Sequence, residues 1–361
     1  MKRRFLGILM SVIFTVGMLA GCGNDNQTAQ PDTANTGTEE EKNEQPAAPS
    51  ETSAVQEDAG SSAGEAANIY YIGKCADSTY WQTVQAGAEA AMKETGCNLK
   101  CLNPNTEAEI DKQINMVEEA VNAKADVIVL APLDVTALIE PCKAAMAAGS
   151  KVVLVDSLIN SEDYDVAYAT NNVTGGAMCA DELAKALDNK GKVFIINTAA
   201  GSGSVIQRQQ GFVDQIAEKY PDIEIVNKDD VLYCNNDPTT AAQQAKDTIA
   251  ANPDIDAIYT PAEKATFGVA QGLKEVGKAG EVLVIGFDSN DDLIALLGEG
   301  AVHSLTLQDP YNMGYMGVKG AVSLAAGEEL THEVVDTGCI VATQENMESD
   351  EIQKLFYPLG K

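Results

Sequence analysis

The sequence predicts an α/β protein made of two doubly wound parallel-sheet lobes, and three observations carry that prediction. From Asn68 onward, short β-rich apolar runs alternate with stretches whose apolar residues recur at helical spacing. The alternation proceeds to about Ala169 and starts afresh after Asn171, so each half reads as its own sheet with helices around it. Polar and charged residues gather directly after the apolar runs, which in an open α/β sheet is where ligands bind.

Ile69 to Ile72, closed by Gly73, has the continuous apolar character of a strand buried on both faces. Val84, Ala88, Ala91 and Met92 then form one helical stripe, and Gly96 supplies its stop. Between strand and helix, Tyr80 and Trp81 stand beside Lys74, Asp77 and Ser78. They offer a flat apolar face with polar partners for one small molecule or, in the plainer alternative, two rings packed on the sheet edge. Asn98 to Leu102 is a second strand. Thr106 and Glu109 have the spacing of a capping box ahead of a helix bearing Ile110, Ile114, Val117 and Val121. Asp126 to Leu130 follows as a strand, and Pro132, Asp134 and Pro141 lead into a helix through Cys142, Ala145 and Met146. Lys151 to Val155 ends at Asp156 and Ser157, and Val166 to Ala169 closes the first series.

The second series opens with a helix from Asn171 through Gly175 and Gly176 to about Leu187. Strands are expected at Lys192 to Asn197, Glu224 to Val226, Asp256 to Tyr259 and Val282 to Gly286, the last completing the set. Helices are expected within Gly203 to Tyr220, at Pro238 to Ala251 and at Glu263 to Val276. The strand ends supply the candidate site: Lys74 to Trp81, Pro132 to Asp134, Asp156 with Ser157, Thr198 to Arg208, Pro261 to Glu263, Asp288, and Gln308 with Asp309. Asp156 and Asp288 could instead serve as helix caps or loop acceptors. Their occurrence at matching places in both halves argues for one shared cleft.

Residues 1–21 have the organisation of a signal peptide: Lys2, Arg3 and Arg4, an apolar run from Phe5 to Leu19, then small residues before Cys22. The pattern looks like a lipobox, in which Cys22 carries lipid, and the run is short of the ~20 residues of a spanning helix. Residues 22–67 are rich in Glu, Ala, Thr, Ser and Gln and nearly free of large apolar residues, the composition of a disordered tether. A net charge of −30 makes nucleic acid a poor partner. The seven cysteines after Cys22, at 75, 97, 101, 142, 179, 234 and 339, are odd in number and widely spaced, which is no disulfide framework. Cys97 and Cys101 lack the second pair that a zinc site needs.

The stretches IGKCADSTYW, APLDVTAL, AGSKVVLVDS, TNNVTGG, GSVIQRQQGF, ANPDIDAIYTPAEKATFGVAQGL, VIGFDSND and LTLQDPYNMG, in this order, resemble the ribose-type periplasmic binding proteins, the type I solute-binding subunits of sugar ABC transporters. The resemblance covers Asn68 to the C-terminus. It implies two lobes joined by three hinge crossings, near Ala169 to Asn171, Gln308 to Pro310 and Thr337 to Cys339. Lobe one then comprises residues 68–170 and 310–337, and lobe two residues 171–309 and 338–361. It also implies closure around one small sugar or polyol, delivery to ABC permease subunits, a monomer and no cofactor. Carried over residue by residue, Tyr80 and Trp81 stack on the sugar ring, Asp156 and Asp288 accept from its hydroxyls, and Gln308 bonds it from the hinge. Arg208 either contacts the ligand or makes a salt bridge. Where ribose binders place arginines this chain has Ser157 and Ile206, and where they place an asparagine it has Ala262, so ribose itself is not implied. Lys74, Asp156 with Ser157, and Pro261 resemble instead the autoinducer-2 and rhamnose-binding branch, from which Glu263 departs.

Other classes have less material. Gly201-x-Gly203 follows a strand but lacks the third glycine of a dinucleotide fingerprint, with Ile206 in its place. Two histidines, His303 and His332, neither beside a serine motif, leave little for nucleophilic catalysis. Asp288-x-Asn290-x-Asp292 mimics a calcium loop, but Leu293 stands where glycine is required. No basic DNA-binding helix precedes Asn68, which argues against a regulator's effector domain. A receptor that presents its ligand, autoinducer-2 included, to a membrane sensor would share the same closed form and is the alternative to transport.

Overall fold

The computed structural model describes residues 66–360. The leader, Cys22 and nearly all of the tether lie outside them. In chain order the elements are β1 (Asn68–Ile72), α1 (Thr79–Thr95), β2 (Asn98–Leu102), α2 (Ile110–Asn122), β3 (Val127–Leu130), α3 (Ile139–Ala147), β4 (Lys151–Val155), β5 (Val166–Ala169), α4 (Asn172–Ala186), β6 (Gly191–Asn197), α5 (Gly203–Lys219), β7 (Ile223–Ile225), β8 (Leu232–Tyr233), α6 (Pro238–Ala251), β9 (Ala257–Tyr259), α7 (Glu263–Glu275), β10 (Leu283–Phe287), α8 (Asp291–Gly298), β11 (Ser304–Gln308), α9 (Pro310–Ala325), β12 (Val334–Asp336), β13 (Cys339–Thr343) and α10 (Asp350–Phe356).

Two sheets result. The first has the order β12-β5-β4-β3-β1-β2 and is parallel throughout; the second has the order β13-β11-β10-β9-β6-β7, with β13 alone antiparallel and β8 beside β6. In each, the chain moves outward on one side of its first strand and then crosses to the other, so a switch point lies between β1 and β3 and again between β6 and β9. Both sheets are covered on both faces, as their continuous apolar strands require. Ile69, Tyr71, Val127, Val129, Val153 and Val155 pack on one side of the first sheet, and Tyr70, Ile72, Ile128, Leu130, Val152 and Leu154 on the other. The second sheet divides the same way, with Ile196, Ile258 and Val284 opposite Ile195, Tyr259 and Phe287.

Two helices are exchanged between the halves of the chain. α4 follows the last consecutive strand of the first sheet yet packs with α5 on the second, and α9 follows β11 of the second sheet yet packs with α1 on the first. Both exchanged pairs cross so closely that glycine is required. A Cβ at Gly87 would lie 1.9 Å from the Tyr311 carbonyl oxygen, and one at Gly314 would lie 1.8 Å from that of Val84. In the other lobe, a Cβ at Gly176 or Gly211 would lie 1.9 Å from the carbonyl oxygen of Arg208 or Val173.

Two features differ from the sequence reading. Strands continue past Gly286, because β11, β12 and β13 carry the second and third crossings between lobes. The capping box is half formed: Glu109 accepts from the N–H groups of Asn105 and Thr106, while its own N–H bonds the Thr106 carbonyl and not the hydroxyl. All seven cysteines among the described residues are free. No helix of the described residues is long and apolar enough to cross a membrane.

Candidate functional site

The carboxyl ends of the two sheets meet at a buried cavity. It is lined from the first lobe by Lys74, Ser78, Tyr80, Trp81, Glu107 and Asp156, and from the second by Thr198, Arg208, Asn236, Glu263, Asp288 and Gln308, among others. Asp156 follows β4 and Asp288 follows β10, equivalent strands of the two lobes. Both adopt left-handed backbone, with φ 65 and φ 66, a conformation that aspartate tolerates better than most side chains. Each also extends its ladder by one bond, Asp156 N–H to the Tyr168 carbonyl and Asp288 N–H to that of Thr306. The same local device therefore aims one carboxylate from each lobe into one space.

Asp156 is densely held. Tyr80 Oη donates to its Oδ1 at 2.8 Å, while Lys74 Nζ at 2.8 Å and Ser157 Oγ at 2.7 Å donate to its Oδ2. Lys74 Nζ also donates to Ser157 Oγ and lies 5.2 Å from the Trp81 ring centre. Burial alone would raise the Asp156 carboxyl, but Lys74 and Arg208 beside it, with the bonds from Lys74 and Ser157, hold it below its ordinary range. Burial, with Asp156 and Asp288 nearby, pushes the Tyr80 phenol well above its own, so it remains a donor.

Asp288 is less well compensated. Gln308 Nε2 donates to its Oδ1 at 2.6 Å, and Arg208 Nη1 stands 3.6 Å from its Oδ2. Burial raises this carboxyl to about 6 against the pull of Arg208 and Gln308. Arg208 is committed to its own lobe: Nε donates to Asn172 Oδ1, Nη1 donates to the Pro261 carbonyl, and the guanidinium lies 3.9 Å over the Phe287 ring. Glu263 accepts from Asn290 Nδ2 and is raised to about 7, chiefly by burial. Gln308 is 3 % exposed and its Oε1 has no partner among the described residues, an acceptor that a ligand hydroxyl would satisfy. The first turns of α1, α5 and α7 also begin at the cavity, at Ser78, Ser202 and Ala262, and none has a side-chain cap. Their free N–H groups are donors available to ligand oxygens.

Of the residues expected from sequence, Lys74, Ser78, Tyr80, Trp81, Arg208, Asp156, Asp288, Glu263 and Gln308 share the cavity. Ser157 and Pro261 stand one layer behind it, holding Lys74 with Asp156 and Arg208 respectively. Tyr80 and Trp81 meet edge to face with centroids 5.0 Å apart, and Trp81 belongs both to the cavity wall and to the core of its lobe. Asp309 and Asp134 act locally, capping α9 and holding the turn before α3. Ile206, aligned with a family arginine, is 40 % exposed, and the guanidinium in the cavity comes from Arg208. Glu107, Asn236 and Lys264 also line the cavity and were not expected. Glu107 follows β2, where the strand-end rule applies. Asn236 follows β8, two residues long and too short to leave a pattern.

Residues 69–329 match a family model described as periplasmic binding protein domain. The chain is 24% identical to the ribose import binding protein of Bacillus subtilis over 70% of its length and 79% of the relative's. It is 27% identical to the D-allose-binding periplasmic protein of Escherichia coli, over 72% and 84% respectively. Among solved structures, a carbohydrate transporter solute binding protein from Agrobacterium radiobacter, in complex with D-arabinose, superposes with TM-score 0.77 at 35% identity, covering 81% of this chain and 99% of that one. An ABC transporter solute binding protein from Agrobacterium vitis with bound D-fucose gives TM-score 0.76 at 34% identity, covering 80% and 99%.

Proposed function

The chain belongs to the periplasmic binding protein domain family, and from that premise we propose that it captures a small sugar or sugar-like polyol between its lobes, without altering it, and delivers it to the permease of an ABC importer. The observation that carries this reading is the pairing of Asp156 and Asp288, one carboxylate from each lobe, at a single buried cavity. A carboxylate accepts from neighbouring hydroxyls, and a ring such as Trp81 covers the C–H face of a sugar. A guest that touches both lobes favours the closed form by its additional contacts. In this reading the protein works outside the cytoplasmic membrane as a monomer, anchored through lipid on Cys22, with residues 68–170 and 310–337 forming one lobe and residues 171–309 and 338–361 the other. The relatives that bind D-arabinose, D-fucose, ribose and allose support the choice of ligand class.

A thermal-shift screen of the full chain against small sugars and polyols tests it. A ligand at a hundred times its dissociation constant adds roughly 2.7 kcal/mol of stability, a shift of several degrees. No shift with any carbohydrate, together with chemical conversion of one of them, would end the transport reading. Asp156→Ala should weaken binding of the strongest hit about ten- to hundredfold by calorimetry, the worth of hydrogen bonds to a charged group.

A further inference from the structure

Glu107 joins the lobes through a group that the sugar reading does not require. It lies between β2 and α2, and its two carboxylate oxygens are held from opposite sides of the cleft. Oε1 accepts from Trp81 Nε1 at 2.9 Å, within the first lobe. Oε2 accepts from Asn236 Nδ2 at 3.1 Å, from the second lobe. A carboxylate is acceptor-only and has lone pairs for both donors, whereas the indole N–H can only donate. Fixing that N–H fixes the plane of the ring about its remaining torsions. The bond to Trp81 lies within one lobe and survives opening; the bond from Asn236 forms only when the lobes are together.

We propose that Glu107 is a positioning residue that ties the orientation of the Trp81 ring to lobe closure, so that Asn236 clamps the carboxylate that holds the ring as the cleft shuts. This rests on the reading above, in which Trp81 supplies a face to the sugar. The clamp acts on the closed form, so it governs how long a ligand stays more than how fast it arrives.

Trp81 is the single tryptophan of the chain, so its emission and anisotropy report this ring alone. The experiment compares the full chain with Glu107→Ala, Glu107→Gln and Asn236→Ala, using the tightest binder among D-ribose, D-allose, D-arabinose and D-fucose as probe. Asn236→Ala should raise the dissociation rate about tenfold and leave the ligand-free anisotropy of Trp81 unchanged. Glu107→Ala should raise the rate at least as much and also lower that anisotropy. Glu107→Gln should restore most of both, because its amide oxygen accepts from Trp81 and its amide nitrogen donates to the carboxamide oxygen of a flipped Asn236. Wild-type dissociation rates in Glu107→Ala and Asn236→Ala would overturn the proposal, even if melting temperatures fell, since that pattern marks a purely structural carboxylate. If the wild-type chain binds none of the four sugars, the tightest hit of the carbohydrate and polyol screen takes their place as probe, and a chain that binds nothing in that screen loses the transport reading and not the ring-holding role. The ligand-free anisotropy then decides the ring-holding role, and an unchanged value in Glu107→Ala overturns it.

Discussion

Asp156 and Asp288 occupy equivalent turns yet sit in opposite electrostatic settings. Asp156 is held ionised by Lys74 and Arg208, whereas Asp288 is raised by burial to about 6 from 3.8 and Glu263 to about 7 from 4.5. For the two raised groups the folded form holds protons that the unfolded chain has released. Their contribution to stability is therefore fully present below the unfolded values and is lost as pH rises through about 6 and about 7. Asp156, being depressed, loses its contribution only below 3.8, outside that window. Taking the protein from about pH 8 to about pH 5 should raise its melting temperature, with a gain of up to about 4 kcal/mol, and Glu263→Gln should flatten the larger part of the rise. A melting temperature that falls steadily over this range would contradict the assignment. Asp156 and Asp288 were legible in the sequence because each stands directly after an apolar run, and Glu263 because it closes the short loop after one. Glu107 was not singled out because its loop also carries Glu109, whose spacing from Thr106 accounted for the segment as a helix start. The partners of each group were beyond the sequence, since Lys74 meets Asp156 from 82 positions away.

At the scale of elements, period and punctuation located most strands and helices before β10, but not the helix exchange. α9 carries Gly314, Gly317 and Gly320, a composition that disfavours a helix by propensity alone. Tertiary proximity reverses that judgement. A Cβ at Gly317 would lie 2.6 Å from Val155 Cγ1 and one at Gly320 2.5 Å from Tyr168 Oη, so the glycines let the helix settle against its sheet. The same reasoning applies where α1 and α9 cross. Gly87→Ala puts a methyl against a backbone carbonyl that cannot move independently, and should cost about 1–3 kcal/mol in chemical denaturation. A neutral result would mean that the two helices separate without penalty. β12 and β13 are three and five residues long and only partly buried, so their role as crossings came from resemblance and not from pattern.

Over the whole molecule, the Gly201-x-Gly203 pair finds its explanation in closure and not in phosphate binding. Val135 N–H of the first lobe donates to the Gly201 carbonyl of the second at 3.1 Å. A Cβ at Gly201 would lie 2.2 Å from Asp134 Oδ2, and one at Gly203 2.9 Å from Val135 Cγ1. Gly201→Val should hold the lobes apart: the radius of gyration in solution scattering with saturating sugar stays larger than that of the wild type, and affinity falls roughly tenfold. Identical scattering curves for the two liganded proteins would remove this loop from the closing surface. The cysteines bear on how such motion can be watched. Burial pushes the thiols of Cys101, Cys142 and Cys179 up to about 12 and raises those of Cys75, Cys234 and Cys339. Because the thiolate is the reactive species, these native sulfurs compete poorly for maleimide dyes near neutral pH. One surface cysteine added to each half would then accept a donor and an acceptor fluorophore, and single molecules could be followed opening and shutting with these six thiols left in place.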